Sequence, residues 1–238
     1  MEDKGVWQEW FTILAFMADK NKEAHLTSLC NLLYEVAGNH ANYRDLGFEA
    51  MKRRGLHWVL NRLKLEVIRL PQWRERIKIT TWVSEMKPFS HRHFLVEDEA
   101  GNVLASGYSI WIPIESATRK PKRFDDYDVP LIPKLAPCGP TEKLTGHVET
   151  SLSYIYKVAY SDVDMIGHVN NAKYVEWVMN DFMVRHVVPP RVFSIQYLAE
   201  VFLGEEICIR YKEEAESFYY VLTGVEEGRE VCRAKVYF

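Results

Sequence analysis

At 238 residues, 47% hydrophobic and 13% aromatic, the chain can bury one large core or two small ones. Its formal net charge of −3 comes from mixed signs, so there is no global basic field of the kind that binds nucleic acid. The longest early apolar run, Phe11 to Ala18, is too short to span a bilayer and comes after an acidic start, Met1-Glu2-Asp3, which argues against membrane insertion and secretion.

In chain order, Trp7 to Ala18 reads as a strand, and Asp19-Lys20-Asn21 as a turn. Leu26 to about Arg44 reads as a helix with Leu26, Leu29, Leu33, Val36, Ala37 and His40 on one stripe. Gly47 and Gly55 punctuate the chain after this helix. Trp58 to Leu70, Arg76 to Val83, Phe94 to Glu97 and Val103 to Ile114 then alternate as strands, separated by Pro71-Gln72, Lys87-Pro88 and the hairpin signal Asp98-Glu99-Ala100-Gly101-Asn102. Pro121 to His147 is rich in proline and glycine with little periodicity, and reads as a connecting segment. The expected division is therefore a first unit over 1–123, a linker over 124–147 and a second unit over 148–238.

The second half repeats the order of the first. A shift of 143 residues lays Asp19, Asn21 and His25 over Asp162, Asp164 and His168, each set leading into an amphipathic helix. Strand-like runs come next at Ser194 to Glu200, Ile207 to Lys212, Phe218 to Gly224 and Glu230 to Phe238, the last two separated by Glu226-Glu227-Gly228. The four cysteines, Cys30, Cys138, Cys208 and Cys232, form no Cys-x-x-Cys pair and no metal-binding spacing. Reduced thiols in a cytoplasmic protein without metal or cofactor are expected.

The stretch from Tyr160 to Phe182 concentrates the chemistry. Asp162, Asp164, Gly167 and His168 form a polar turn, and Asn170 and Asn171 offer capping side chains. Val169, Ala172, Val175, Met179, Phe182 and His186 then recur at helical spacing, with Lys173, Glu176 and Asn180 on another face. A helix start presents unpaired N–H groups and a positive dipole end, suited to a carbonyl oxygen that becomes an oxyanion. Imidazole titrates at about 6.5, so His168 is a candidate to activate water near neutrality.

Asp164, Gly167-His168-Val169-Asn170-Asn171, Lys173-Tyr174 and Trp177 resemble the active-site turn of acyl-acyl carrier protein thioesterases. The segment from Ile110 through Thr118-Arg119-Lys120-Pro121-Lys122-Arg123 is similar to the end of that family's first unit. The resemblance implies an α+β, tandem hot dog fold, each unit a long helix wrapped by an antiparallel sheet. It implies hydrolysis of a fatty acyl thioester on acyl carrier protein, with the first unit binding the acyl chain among residues such as Trp58, Trp73, Trp82 and Trp111. It is also compatible with a homodimer.

By the same resemblance Asp164 is the catalytic or His-orienting aspartate. Glu200, in Gln196-Tyr197-Leu198-Ala199-Glu200, is the second carboxylate, on a strand passing the helix start. Asp162 is left a turn role. In the first unit Asn21 and Leu70 stand at the positions of Asp164 and Glu200, so one active site is expected. The chain departs from the family in carrying Ile166 where plant members have Asn, and Val201 where some have Cys, which favours general-base hydrolysis over an acyl-enzyme. Lys52-Arg53-Arg54 and Arg119 to Arg123 are candidate docking charges for the acidic carrier. An acyl-CoA thioesterase and a non-catalytic acyl-binding protein are the competing readings.

Overall fold

The computed structural model describes residues 5–123, 129–186 and 188–238. It divides into two compact units, the first reaching Thr141 and the second running from Glu142 to Phe238. The linker expected over 124–147 begins in residues 124–128, which lie outside the described residues, as does the acidic start. From residue 129 the segment does not stand apart. Val129 and Leu131 pack against the cluster of Leu46, Met51, Leu56, Val83 and Met86, while Ala136 and Cys138 are buried with Trp82, Tyr108 and Ile110. Irregular backbone does not stop aliphatic side chains from leaving water, so this proline-rich stretch is part of the first unit as far as Thr141, and its last residues, 142–147, belong to the second.

The first unit holds β1 (Val6–Thr12), α1 (Leu26–Tyr43), α2 (Phe48–Arg53), β2 (Leu56–Val67), β3 (Arg76–Glu85), β4 (Ser90–Asp98) and β5 (Val103–Glu115). Its strands lie in the order β1-β3-β4-β5-β2, each paired antiparallel with its neighbour. All six residues of the expected α1 stripe are buried, together with Cys30 and Leu32. The Trp58, Trp82 and Trp111 indole N–H groups donate to Leu46 O, Lys134 O and Ser109 Oγ.

The second unit holds β6 (Ser151–Lys157), α3 (Asn171–Arg185), β7 (Val192–Tyr197), β8 (Glu206–Glu213), β9 (Ser217–Gly224) and β10 (Glu230–Tyr237). Its order β7-β10-β9-β8-β6 reproduces that of the first unit read from the other end, so the duplication extends to strand pairing. The buried face of α3 is broader than its expected stripe. Tyr174, Trp177, Val178 and Asp181 join Ala172, Val175 and Phe182, and Met179 is half-buried at the margin.

The register of the repeat differs from the sequence alignment. The bridge Ala18–Ala24 recurs as Val163–Val169, a displacement of 145 residues at both ends. The main-chain bond from Asp19 N to Glu23 O recurs from Asp164 N to His168 O, both at 2.8 Å. Asp164 therefore corresponds to Asp19 rather than Asn21, and His168 corresponds to Glu23 rather than His25. A shift of 143 matched residue types, whereas the fold matches hydrogen-bonded positions. The equivalence of Glu200 and Leu70 holds on the same test: Val169 N donates to Val201 O and Ala24 N to Pro71 O, the residues one position on.

Candidate active site

Asp164 builds the turn that presents His168. Its Oδ1 accepts from the main-chain N–H of Ile166 at 2.9 Å and, more weakly, of His168 at 3.4 Å. Gly167 takes φ +88°, a region that only glycine enters without strain, and its N–H closes on Asp164 O at 3.1 Å. The carboxylate thus engages backbone, and Asp164 acts on His168 through the shape of the loop. The same device survives in the first unit, where Asp19 Oδ1 accepts from Asn21 and Glu23 N–H.

His168 and Glu200 meet: Nδ1 lies 3.3 Å from Oε1, with both side chains partly shielded, 21% and 32% exposed. The ring of Phe202 stands edge-on to the imidazole, centroids 5.1 Å apart. The expected strand through Glu200 stops short of it: β7 ends at Tyr197, and Glu200 lies beyond the strand. Beyond it Leu198 and Ala199 both turn their N–H groups to Val231 O, which breaks the ladder and frees the following residues to form a loop. That loop is joined to the His168 turn by the bond from Val169 N to Val201 O, 2.9 Å.

At the start of α3 most amides are already engaged. Asn170 N donates to Asp162 O and Lys173 N to Asn170 O, each at 2.8 Å, and the Asn170 side chain caps Ala172 N at 2.8 Å. Among the described residues no acceptor closes on the Asn171 N–H. A first helical position has no intrahelical acceptor for its N–H, which makes this amide chemically suited to a carbonyl oxygen.

Asp162 sits apart from this chemistry. It is 1% exposed, accepts from Ala159 N and Tyr156 OH at 2.8 Å each, and lies 3.4 Å from Lys173 Nζ. Burial depresses the Lys173 ammonium, but Glu176 and Asp162 outweigh it and hold the group above its ordinary range. Asp162→Ala is expected to destabilise the fold by about 2–4 kcal/mol, because it strands a phenol, an amide and a cation. Asp164→Ala, which loses local turn bonds, is expected to cost about 1 kcal/mol and to lower turnover more. Urea melts beside kcat, measured well below the unfolding transition, check this; equal kcat losses would remove the distinction between the two aspartates.

In the first unit Glu23 and Leu70 occupy the places of His168 and Glu200, and Gln72, bonded to Glu23, that of Phe202. The site's residues are thus confined to the second unit. Phe202 and Arg229, whose guanidinium reaches the Glu200 carbonyl, went unread in the sequence. The alternation stops before Phe202, and Arg229 comes after a turn that reads only as a strand boundary. Among the described residues no group of three or more His, Cys, Asp or Glu is placed to hold a metal ion, and the four cysteines are unbridged. Of the candidate docking charges, Arg53 and Arg54 pair with Asp45, and Lys122 with Glu115.

Family profiles described as the acyl-ACP thioesterase N-terminal and C-terminal domains match residues 4–129 and 146–238. The chain belongs to the acyl-ACP thioesterase family. An acyl-ACP thioesterase from Bacteroides thetaiotaomicron superposes with a TM-score of 0.88 at 30% identity, covering 98% of this chain and 97% of that one. The 12:0-ACP thioesterase from Umbellularia californica, at 22% identity and a TM-score of 0.82 over 98% and 96% of the two chains, shares the fold. Both place the duplicated architecture as a tandem hot dog.

Among sequence relatives, an oleoyl-acyl carrier protein thioesterase of Arabidopsis thaliana is 31% identical over 75% of this chain and 54% of its own length. An acyl-[acyl-carrier-protein] hydrolase of Cuphea viscosissima is 28% identical over 83% and 50%. Both relatives are named chloroplastic. The chain spans about half the length of the curated relatives it matches.

Proposed function

We propose that this acyl-ACP thioesterase family member hydrolyses fatty acyl thioesters of acyl carrier protein to free fatty acid and the carrier's thiol, at a site made of His168 and Glu200 with Asp164 shaping the turn. The single observation that carries this reading is the 3.3 Å approach of His168 Nδ1 to Glu200 Oε1 at the head of α3. Glu200 favours an imidazolium, so the ring can take a proton through Nε2 from a water attacking the thioester carbon. The water oxygen forms the new C–O bond and the carbonyl oxygen becomes an oxyanion facing the Asn171 N–H. The C–S bond then breaks, and the proton held on His168 passes to the departing thiolate.

The first unit, lacking both reactive groups, serves the acyl chain. The basic run from Arg119 to Arg123 serves carrier docking, beside a cleft of about 370 Å³ lined by Lys87, Phe89, Ile112, Lys122 and Arg123. The setting is the cytoplasm, where buried thiols stay reduced, and the protein works in fatty acid biosynthesis as a homodimer not inserted in a membrane. No helix of the described residues is long and apolar enough to cross a bilayer.

Release of free thiol, monitored with one acyl chain presented on acyl carrier protein and on CoA, tests the reading. The expected result is a kcat/KM at least about tenfold higher on the carrier protein, equivalent to about 1.4 kcal/mol of differential transition-state binding. A preference for CoA reassigns the carrier. Binding of acyl carrier protein without hydrolysis of either thioester overturns the enzyme.

A further inference from the structure

Glu200 lies in the loop between β7 and β8, where no strand ladder holds it. Its neighbours are tied down on both sides, through Leu198 and Ala199 to Val231 O and through Val201 O to Val169 N. The carbonyl of Glu200 itself is held by a side chain from the connection between β9 and β10: Arg229 Nη2 donates to Glu200 O at 3.0 Å. The same guanidinium reaches Glu205 Oε2 at 3.4 Å, further along the Glu200 loop, and Glu227 Oε2 at 2.8 Å on its own connection. Arg229 O accepts from Gly224 N at 3.0 Å, and Gly228 N donates to Gly224 O at 3.0 Å, so the short turn that projects the side chain is itself closed.

One planar cation thus bridges the loop carrying the acid and the turn opposite it. Two carboxylates neutralise its charge, so its influence on the site is geometric. A guanidinium suits this role because its five donors lie in a fixed plane and can serve three acceptors together, which a lysine ammonium on a flexible stem does not reproduce.

We propose that Arg229 is a positioning residue for hydrolysis: by clamping the Glu200 carbonyl it sets the distance from Glu200 to His168, acting through Glu200 without touching substrate. The inference rests on the reading that Glu200 serves the hydrolytic site. Freed of the clamp, the loop would let the carboxylate drift, and a misplacement of about 1 Å costs on the order of 100-fold in rate.

The test is a double-mutant cycle on the full chain, with kcat and KM measured by thiol release from acyl carrier protein and folding monitored by thermal melts. Arg229→Ala is expected to lower kcat by about 10- to 100-fold while KM changes less than about twofold, and Arg229→Lys to recover little of the loss. In a Glu200→Gln background, Arg229→Ala is expected to add no further loss, since the group it positions is already disabled. Arg229→Met keeps the aliphatic stem and takes alanine's place if that variant does not fold. Losses that multiply across the cycle, or a wild-type kcat in folded Arg229→Ala, overturn the proposal while leaving the site assignment intact. A wild-type kcat in Glu200→Gln overturns the role of Glu200 and the proposal with it.

Discussion

Replacing His168 with alanine is expected to lower kcat on an acyl carrier protein thioester by about 10²- to 10⁴-fold, the range that a positioned general base contributes. Glu200→Gln should fall in the same range. Glutamine keeps the shape and a hydrogen-bonding oxygen, but its neutral amide cannot stabilise the imidazolium that forms as water is deprotonated. The two losses should not multiply in the double variant, because the groups act as one unit 3.3 Å apart. Steady-state kinetics of the two single variants and the double variant check this, with circular dichroism confirming a native fold. Near-normal turnover in either single variant would dissolve the pair as the site of water activation.

The second large effect concerns stability and lies towards the other end of the same helix. Asp181 is buried and accepts from Arg185 Nε at 2.8 Å, from Tyr220 OH at 2.9 Å and from Ser153 Oγ, so one carboxylate ties α3 to β6 and β9. Asp181→Ala is expected to destabilise the protein by about 2–4 kcal/mol, less than a fully enclosed pair would lose because Arg185 keeps partial access to water.

Burial by itself raises the Asp181 carboxyl, but the hydrogen bonds from Arg185, Ser153 and Tyr220 outweigh it and hold the group below the ordinary carboxylate range. A folded-state pKa below the unfolded value of about 3.9 means that the unfolded chain takes up the proton first as acid is added. The stabilisation is therefore fully present above about pH 4 and is lost as pH falls through the folded value. The stability gap between wild type and Asp181→Asn should be widest near neutrality and should close in acid. Urea denaturation at pH 7 and at pH 3 measures it, and a gap that widens in acid would refute the assignment.

The regular parts follow from local residue chemistry and spacing alone. The apolar spacing of α1 dictated its buried face, because a helix of fixed pitch turns sequence spacing into direction. Asp164, Gly167 and Asn170 dictated a tight turn and a capped helix start, because their local chemistry allows little else. The alternating strands and the repeated order were legible for the same reason, and the pairing of His168 with Glu200 was legible only through resemblance to a family.

Tertiary structure alone decided what irregular backbone does. The choice between displacements of 143 and 145 residues depended on which main-chain groups bond to one another, and similarity of residue type does not report that. Asp162 and Asp164 have the same chemistry two positions apart, yet one is sealed under Tyr156 and the other shapes the loop before His168. Glu200 left its expected strand because two successive amides turned to a single carbonyl, and it came under a clamp from Arg229, 29 positions further along. Loops carry no period, so where their side chains point is settled by the long-range partners that satisfy their backbone polar groups, and those partners exist only once the chain has folded.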